Sequence, residues 1–170
     1  AQPGKKMLFM GGEFGQWIEW NPRQSLDWHL LEYEPHHQLQ KLVADLNRLY
    51  RLEPALHEVD FEYTGFEWVD FHDADNSVIV FLRRPRAQDD HVVVACNFTP
   101  VLRGGYRIGV PEACFYREIL NTDAAAYGGS GITNSPGRDA MHQPWHNQPF
   151  CLELTLPPLG VIILKPERSS

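Results

Sequence analysis

The stretch between residues 11 and 28 gathers Glu13, Gln16, Trp17, Trp20 and Asn21, with Trp28 at its end. Indole faces suit the apolar C–H faces of sugar rings, and an indole N–H can bond a hydroxyl. Trp17 and Trp20 stand three apart, with two amides and a carboxylate close by, so the set suits stacking on and hydrogen bonding to a polar ring. The competing reading is packing of a long aromatic loop, with Glu13 pinning the loop by accepting backbone N–H bonds. Trp28 sits among Leu26, Leu30 and Leu31 and reads as a core residue. His142 and His146, four apart, and His72 beside Asp73 and Asp75 have spacings that a metal would accept. The prolines around the first pair argue against the helix that would align them, and Asp73 and Asp75 read as turn residues. Neither a metal site nor a cofactor is expected. Cys96, Cys114 and Cys151 are odd in number, lack CxxC spacing and have apolar or aromatic neighbours. They read as small buried hydrophobes in a reducing, cytoplasmic setting.

The elements that must position these side chains change character along the chain. Lys6 to Phe9 is a short apolar run without alternation, ending in Gly11-Gly12, and predicts a strand buried on both faces as in a parallel sheet. Residues 11 to 28 form a loop. Pro35 suits the first turn of a helix, where its missing N–H costs little. Leu39, Leu42, Val43, Leu46, Leu49 and Tyr50 recur at helical spacing, and Pro54 ends the element. Residues 5 to 53 thus read as strand, loop, helix. Beyond Val59, Phe66 to Phe71 alternates with period two, Asp73 to Asn76 is turn chemistry, and Ser77 to Arg83 is the return strand of a hairpin. Further strands are predicted at 91–98, 105–110, 114–120, 150–156 and 160–165, which together predict an antiparallel β-sandwich. Residues 121 to 149 read as a long Gly-, Asn-, Ser- and Pro-rich loop, functional or mobile.

At 170 residues the chain has room for one domain, or one domain and part of another. Fifteen Lys and Arg against 22 Asp and Glu give a net charge of -7, which disfavours nucleic acid and anionic membrane surfaces as partners. The one basic cluster, Arg83-Arg84-Pro85-Arg86, reads as a solvated strand end. No apolar run is long enough to span a bilayer, and no signal peptide is visible. The chain opens on Ala1-Gln2-Pro3-Gly4 without an initiator Met, so a cut end is expected. A lone strand–helix unit leaves its ladder groups unpaired and its apolar stripe uncovered. Residues 1–58 are therefore expected to be the last βα unit of a larger α/β domain, residues 59–166 a sandwich domain, and 167–170 a tail.

Several segments carry a resemblance. Gly4-Lys5-Lys6-Met7-Leu8-Phe9-Met10-Gly11-Gly12-Glu13-Phe14-Gly15-Gln16-Trp17 resembles the segment at barrel strand eight of bacterial 1,4-α-glucan branching enzymes. Ser25 to Leu31, Asp45 to Tyr50, Glu53 to Leu56, Gly65 to Trp68 and Asp73 to Val78 are similar to the same family. So are Asn97 to Pro100, Tyr106 to Pro111, Tyr127 to Gly131 and Pro157 to Leu159. Thr133 to Asp139 departs from its pattern. The resemblance implies a TIM barrel of the α-amylase-like glycoside hydrolase family 13 followed by a C-terminal β-sandwich. It also implies a retaining double displacement that cuts an α-1,4 glucan and passes the chain to a 6-hydroxyl, with two carboxylates about 5 Å apart. The family's nucleophile and acid motifs do not occur in this chain, so the resemblance assigns it no catalytic residue and makes it inactive alone. It places Glu13, Gln16, Trp17, Trp20 and Asn21 at the barrel face where such enzymes bind substrate. The implied partners are an α-glucan and the missing barrel of the same polypeptide. A free-standing carbohydrate-binding or scaffolding β-module is the reading of a different class. Another member of the same superfamily, trehalose-forming or debranching, is the related enzymatic one.

Overall fold

The computed structural model describes residues 1–168. Its strands are β1 (Phe66–Asp70), β2 (Val78–Arg83), β3 (Val92–Asn97), β4 (Arg103–Val110), β5 (Phe115–Asn121), β6 (Gly137–Asp139), β7 (Phe150–Leu156) and β8 (Val161–Glu167). Six form one sheet in the order β1-β2-β3-β8-β5-β6, and β4 pairs with β7 in a second. Every pairing is antiparallel. The mainly β, antiparallel class expected from period-two patterning is the one observed.

Side-chain parity explains how the sheets pack. Val78, Val80 and Leu82 of β2, Val93 and Ala95 of β3, and Ile162 and Leu164 of β8 point into one core. There they meet Ile108 and Val110 of β4 and Leu152, Leu154 and Leu156 of β7. Residues of the opposite parity, Phe81, Val92, Val94, Cys96 and Ile163, build a second core with Ala55 and Leu56. Leu49 and Tyr50 pack onto it from the long helix α1 (Glu34–Leu52). The large sheet is thus covered on both faces, and Val92 to Cys96 is an unbroken apolar run because neither parity of β3 meets water. Burying each such aliphatic side chain is worth about 1.5–3 kcal/mol.

Pro35 lies in the first turn of α1, beside Glu34 at the end where acidic side chains oppose the helix dipole. The helix stops at Leu52, two residues before Pro54. It packs on the 3-10 turns Trp28–Glu32 and Ala125–Tyr127, and the Tyr127 hydroxyl donates to Asp45 at 2.8 Å. Leu39, Leu42, Val43 and Leu49 are half-buried and Leu46 is exposed, so the apolar face is only partly covered.

Four expectations are corrected. Residues 6–9 form no strand: Met7 is 93% exposed and Leu8, Phe9 and Met10 are exposed too. Among the described residues no strand runs alongside to complete a ladder, and without one an apolar run has nothing to pair with. Arg83 is not solvated but fully buried, its guanidinium donating to Asp60 at 2.8 Å and to the carbonyls of Gly65, Ala1 and Gln2. A long side chain at a strand end turned inward because a buried carboxylate and three carbonyls await it. Trp28 is 50% exposed and leans on Phe14, 5.1 Å between ring centroids. Residues 121–149 are not a structureless loop, because they hold β6 and the Ala125–Tyr127 turn.

One buried group makes stability depend on pH. His91 is inaccessible to solvent, with Nε2 3.3 Å from the Tyr116 hydroxyl. Burial, helped by the Arg84 charge and opposed by Glu112, pulls its pKa down from 6.5 to about 4. The unfolded chain therefore binds a proton below pH 6.5 that the folded chain refuses until about pH 4. Stability from this group is full above pH 6.5 and lost as pH falls towards 4, by on the order of 3 kcal/mol. Urea denaturation at pH 7, 5.5 and 4.5 should show this slope, and His91→Asn should flatten it.

Candidate functional site

The loop over residues 11–28 is built around two left-handed glycines. Gly11 (φ +83°) and Gly15 (φ +70°) let the chain fold back, with Gln16 N–H donating to the Gly11 carbonyl at 3.0 Å. A Cβ on Gly11 would lie 2.8 Å from that of Gln16, so the return is too tight for any side chain. Phe14 is the anchor. It is fully buried, stacks on Trp28, and its carbonyl lies 2.7 Å from His36 Nδ1 at the start of α1.

On this frame the five candidate residues take different parts. Trp17 is 77% exposed, its ring edge-on to His36 at 5.2 Å. It borders a shallow apolar cleft with Tyr33, Pro35, His36 and Leu39. Trp20 is half-buried, edge-on to Phe9 at 6.0 Å. Both ends of the Gln16 amide are used inside the loop: Nε2 donates to the Ile18 carbonyl at 3.1 Å and Oε1 accepts from Asp27 N–H at 3.0 Å. Asn21 Oδ1 accepts from Arg23 N–H at 3.0 Å, closing an Asx turn. Glu13 is half-buried, and among the described residues its carboxylate accepts no hydrogen bond, so it does not pin the glycine loop. The five share one loop but no single cavity. Trp17 is the aromatic surface left free for a ligand, while Gln16 and Asn21 hold the loop.

The sequence draws attention to Asp73, Trp145 and His146 one by one, but not to the set they form. Asp70, Asp73, Arg103, Tyr106, Trp145 and His146 come from three separate segments and line one open groove of about 760 Å³. Asp73 accepts from the Tyr106 hydroxyl at 2.6 Å and from the Asn76 side-chain amide at 2.9 Å. These bonds and the Arg103 charge hold its carboxyl below the usual range, although its burial pushes the other way. His146 Nε2 lies 3.5 Å from Asp70. Burial lowers the His146 pKa, opposed by the charges of Asp70 and Asp73. Spacing pointed only to its separate pieces, His72 with Asp73 and Asp75 and His146 with His142, since no local pattern reports that a hairpin turn and a distant loop will meet. His142 and His146 do not meet: the His142 ring lies against Phe150 and the His146 ring against Trp145.

Comparison with known proteins bears out the resemblance. The family model described as alpha amylase, C-terminal all-beta domain, matches residues 68–167. The 1,4-alpha-glucan branching enzyme GlgB of Aquifex aeolicus is 59% identical over 167 residues, 98% of this chain and 26% of that protein. The protein of the same name from Rubrobacter xylanophilus is 57% identical over 166 residues, 98% of this chain and 23% of its own length. That of Halothermothrix orenii is 52% identical, again over 98% of this chain and 26% of its own. The chain thus spans about a quarter of the length of the curated relatives it matches. Over residues 68–167, from within β1 to the end of β8, the chain belongs to the family of alpha amylase C-terminal all-beta domains.

Proposed function

We propose that this chain is the C-terminal region of a 1,4-α-glucan branching enzyme. Residues 1–58 contribute the loop and helix of the last unit of a catalytic TIM barrel, with residues 6–9 pairing as its strand only beside the rest of the barrel, residues 59–166 contribute the sandwich, and 167–170 a tail, of which Ser169 and Ser170 lie outside the described residues. The observation that carries this reading is that relatives bearing that name match 98% of the chain at 52–59% identity while the chain spans only about a quarter of them. The bare apolar run Met7 to Met10 and the half-covered face of α1 support it, because both are surfaces that a neighbouring barrel strand and helix would cover.

In the whole enzyme a glucan chain is cut at an α-1,4 bond, held covalently on a carboxylate and released to a 6-hydroxyl, a retaining double displacement. This chain supplies none of the reacting carboxylates. Its part at the substrate is the loop at the barrel's C-terminal face. There Trp17 offers a ring platform, Trp20 on Phe9 adds a second aromatic, Glu13 brings a carboxylate for substrate hydroxyls, and Gln16 and Asn21 keep the loop in shape. The partners are an α-glucan and the barrel of the same polypeptide, in a cytoplasmic enzyme. No helix among the described residues is long and apolar enough to cross a membrane.

The test is an iodine-stained branching assay on amylose with the 170-residue chain alone. No change in the absorbance of the amylose–iodine complex is expected. Measurable branching would overturn the assignment of the chemistry to residues outside this chain.

A further inference from the structure

The stretch that leads into the Trp17 loop is held by the sandwich. Arg83 of β2 is buried, and its Nη1 donates to the carbonyls of Ala1 and Gln2 at 2.7 and 3.0 Å. Its Nη2 donates to the Asp60 carboxylate at 2.8 Å. Asp60 in turn grips the same stretch. Its backbone carbonyl accepts from Gly4 N–H at 3.0 Å. Its carboxylate accepts from Lys6 Nζ at 3.4 Å and from the Tyr50 hydroxyl, near the end of α1, at 3.2 Å. Lys6 also donates to the Gly4 carbonyl and lies 5.1 Å over the Tyr50 ring. From Lys5 to Gly11, by contrast, no backbone N–H has a partner among the described residues. The run is therefore fixed at two points, this polar cluster on one side and the buried Phe14 on the other.

Lys6 meets Tyr50 and the Phe14 carbonyl meets His36, so the run and α1 lie side by side in opposite directions. Between those ends Met7 and Leu8 share an apolar cavity with Val43, Leu46 and Leu49. Apolar contacts of this kind do not select one register. Once the run pairs as a strand, a slip of two residues keeps the same faces turned inward. At about 3.3 Å per residue, such a slip carries the turn over Gly11 to Trp17 about 6.6 Å along the strand. A misplacement of about 1 Å can already cost a hundredfold in rate. The polar cluster opposes the slip, because Gly4 and Lys6 bond to a residue that Arg83 holds against the sheet.

We infer that Arg83, Asp60 and Lys6 are positioning residues for the Trp17 loop: they fix the register of residues 6–10 against α1, and with it the place of the loop over the substrate. They act through residues 1–10 and not through contact with the loop. The hold on the register rests on these contacts alone; its consequence for the substrate rests on the function proposed above.

The test has two arms. On the 170-residue chain, native-state amide hydrogen exchange is read at Gly4 and Gln16, whose N–H groups bond the Asp60 and Gly11 carbonyls. Arg83→Lys keeps a charge beside Asp60 but loses the planar fork that also reaches the carbonyls of Gly65, Ala1 and Gln2. Lys6→Met leaves the Arg83–Asp60 pair whole and carries the test where Arg83→Lys does not fold. Exchange at Gly4 and Gln16 is expected to rise about tenfold or more in either variant. In Lys6→Met the buried Val94 should exchange as before, and Lys6→Arg should restore protection at both N–H groups. The second arm sets residues 1–170 in place of the matching segment of the Aquifex aeolicus relative and measures branching of amylose. Lys6→Met and Trp17→Ala should each lower kcat/KM about fivefold or more. The double variant should fall no more than about twofold below Trp17→Ala, because both changes act on one loop. Unchanged exchange at Gln16, or losses that multiply in the double variant, would overturn the inference. A chimera of unaltered sequence that does not branch would sink the branching function instead, and the exchange arm would still decide the register.

Discussion

Replacing Arg83 with Met is expected to destabilise the protein by about 3–5 kcal/mol. Arg83 is the largest side chain hidden completely from solvent. Its Nη2 donates to Asp60 at 2.8 Å, its Nε to the Gly65 carbonyl at 2.9 Å, and its Nη1 to the carbonyls of Ala1 and Gln2 at 2.7 and 3.0 Å. Removing it strands the Asp60 carboxylate in a nearly solvent-free site with Lys6 at 3.4 Å and the Tyr50 hydroxyl at 3.2 Å as its remaining partners. It also releases the first residues of the chain from the sheet. Urea denaturation at pH 7 measures the loss. Adding Asp60→Asn to Arg83→Met should recover part of it, because the stranded charge is then gone. Burial alone would raise the Asp60 pKa, but Arg83, Lys6 and Tyr50 outweigh it and hold it below 3.8. The pair's contribution is therefore complete above that value and fades only in stronger acid.

The second large effect belongs to Asn134. Its side chain is buried and works as a staple. Nδ2 donates to the Thr155 carbonyl at 2.9 Å and to Glu118 at 3.1 Å, and Oδ1 accepts from Thr155 N–H at 2.8 Å. In effect it replaces a strand's ladder bonds to β7 at Thr155 and ties β5 to the same point through Glu118. Asn134→Ala leaves both backbone groups of Thr155 without their Asn134 partner, while Glu118 keeps the bond from the residue 134 N–H, and is expected to cost about 2–4 kcal/mol. Amide hydrogen exchange should speed up selectively at β6 and at Thr155 in this variant. Uniform exchange with unchanged stability would contradict the stapling role.

These two residues show where sequence reasoning stops. The strands were legible because period two is a local property. Phe66 to Phe71, the turn at Asp73 to Asn76 and the five later runs all carry their alternation or their bounding Pro and Gly within reach of a short window. The helix was legible for the same reason, with Pro35 and Pro54 framing an apolar stripe. Asn134 and Arg83 were not, because what matters about each is a partner far away in sequence: Thr155 for one, Asp60 and Ala1 for the other. A polar residue in a Gly- and Ser-rich stretch looks like loop, and three nearby arginines look like a solvated end, until the fold brings their acceptors in. The Lys6 to Phe9 run fails in the opposite way. Its composition is that of a buried strand, but burial needs neighbours, and none of the described strands lies beside it.

The candidate site divides along the same line. Trp17 could be singled out from the sequence because its type alone suits a sugar face. Gln16 and Asn21 looked like ligand contacts because amides suit hydroxyls, yet their bonds are to Asp27, Ile18 and Arg23 of their own loop. Trp145 and His146 stood out singly, but the groove they share did not, because it is assembled from β1, β4 and a turn near residue 146.

Whether these residues serve as the C-terminal part of a branching enzyme is decided by a chimera. The segment of the Aquifex aeolicus relative that matches this chain, 26% of that protein, is replaced by residues 1–170. Branching of amylose is then measured beside the parent and beside a version lacking the segment. A soluble chimera is expected, with branching within about tenfold of the parent, a margin of some 1.4 kcal/mol in the barrier, and no activity is expected without the segment. A folded chimera without branching, or full branching by the version lacking the segment, would contradict it.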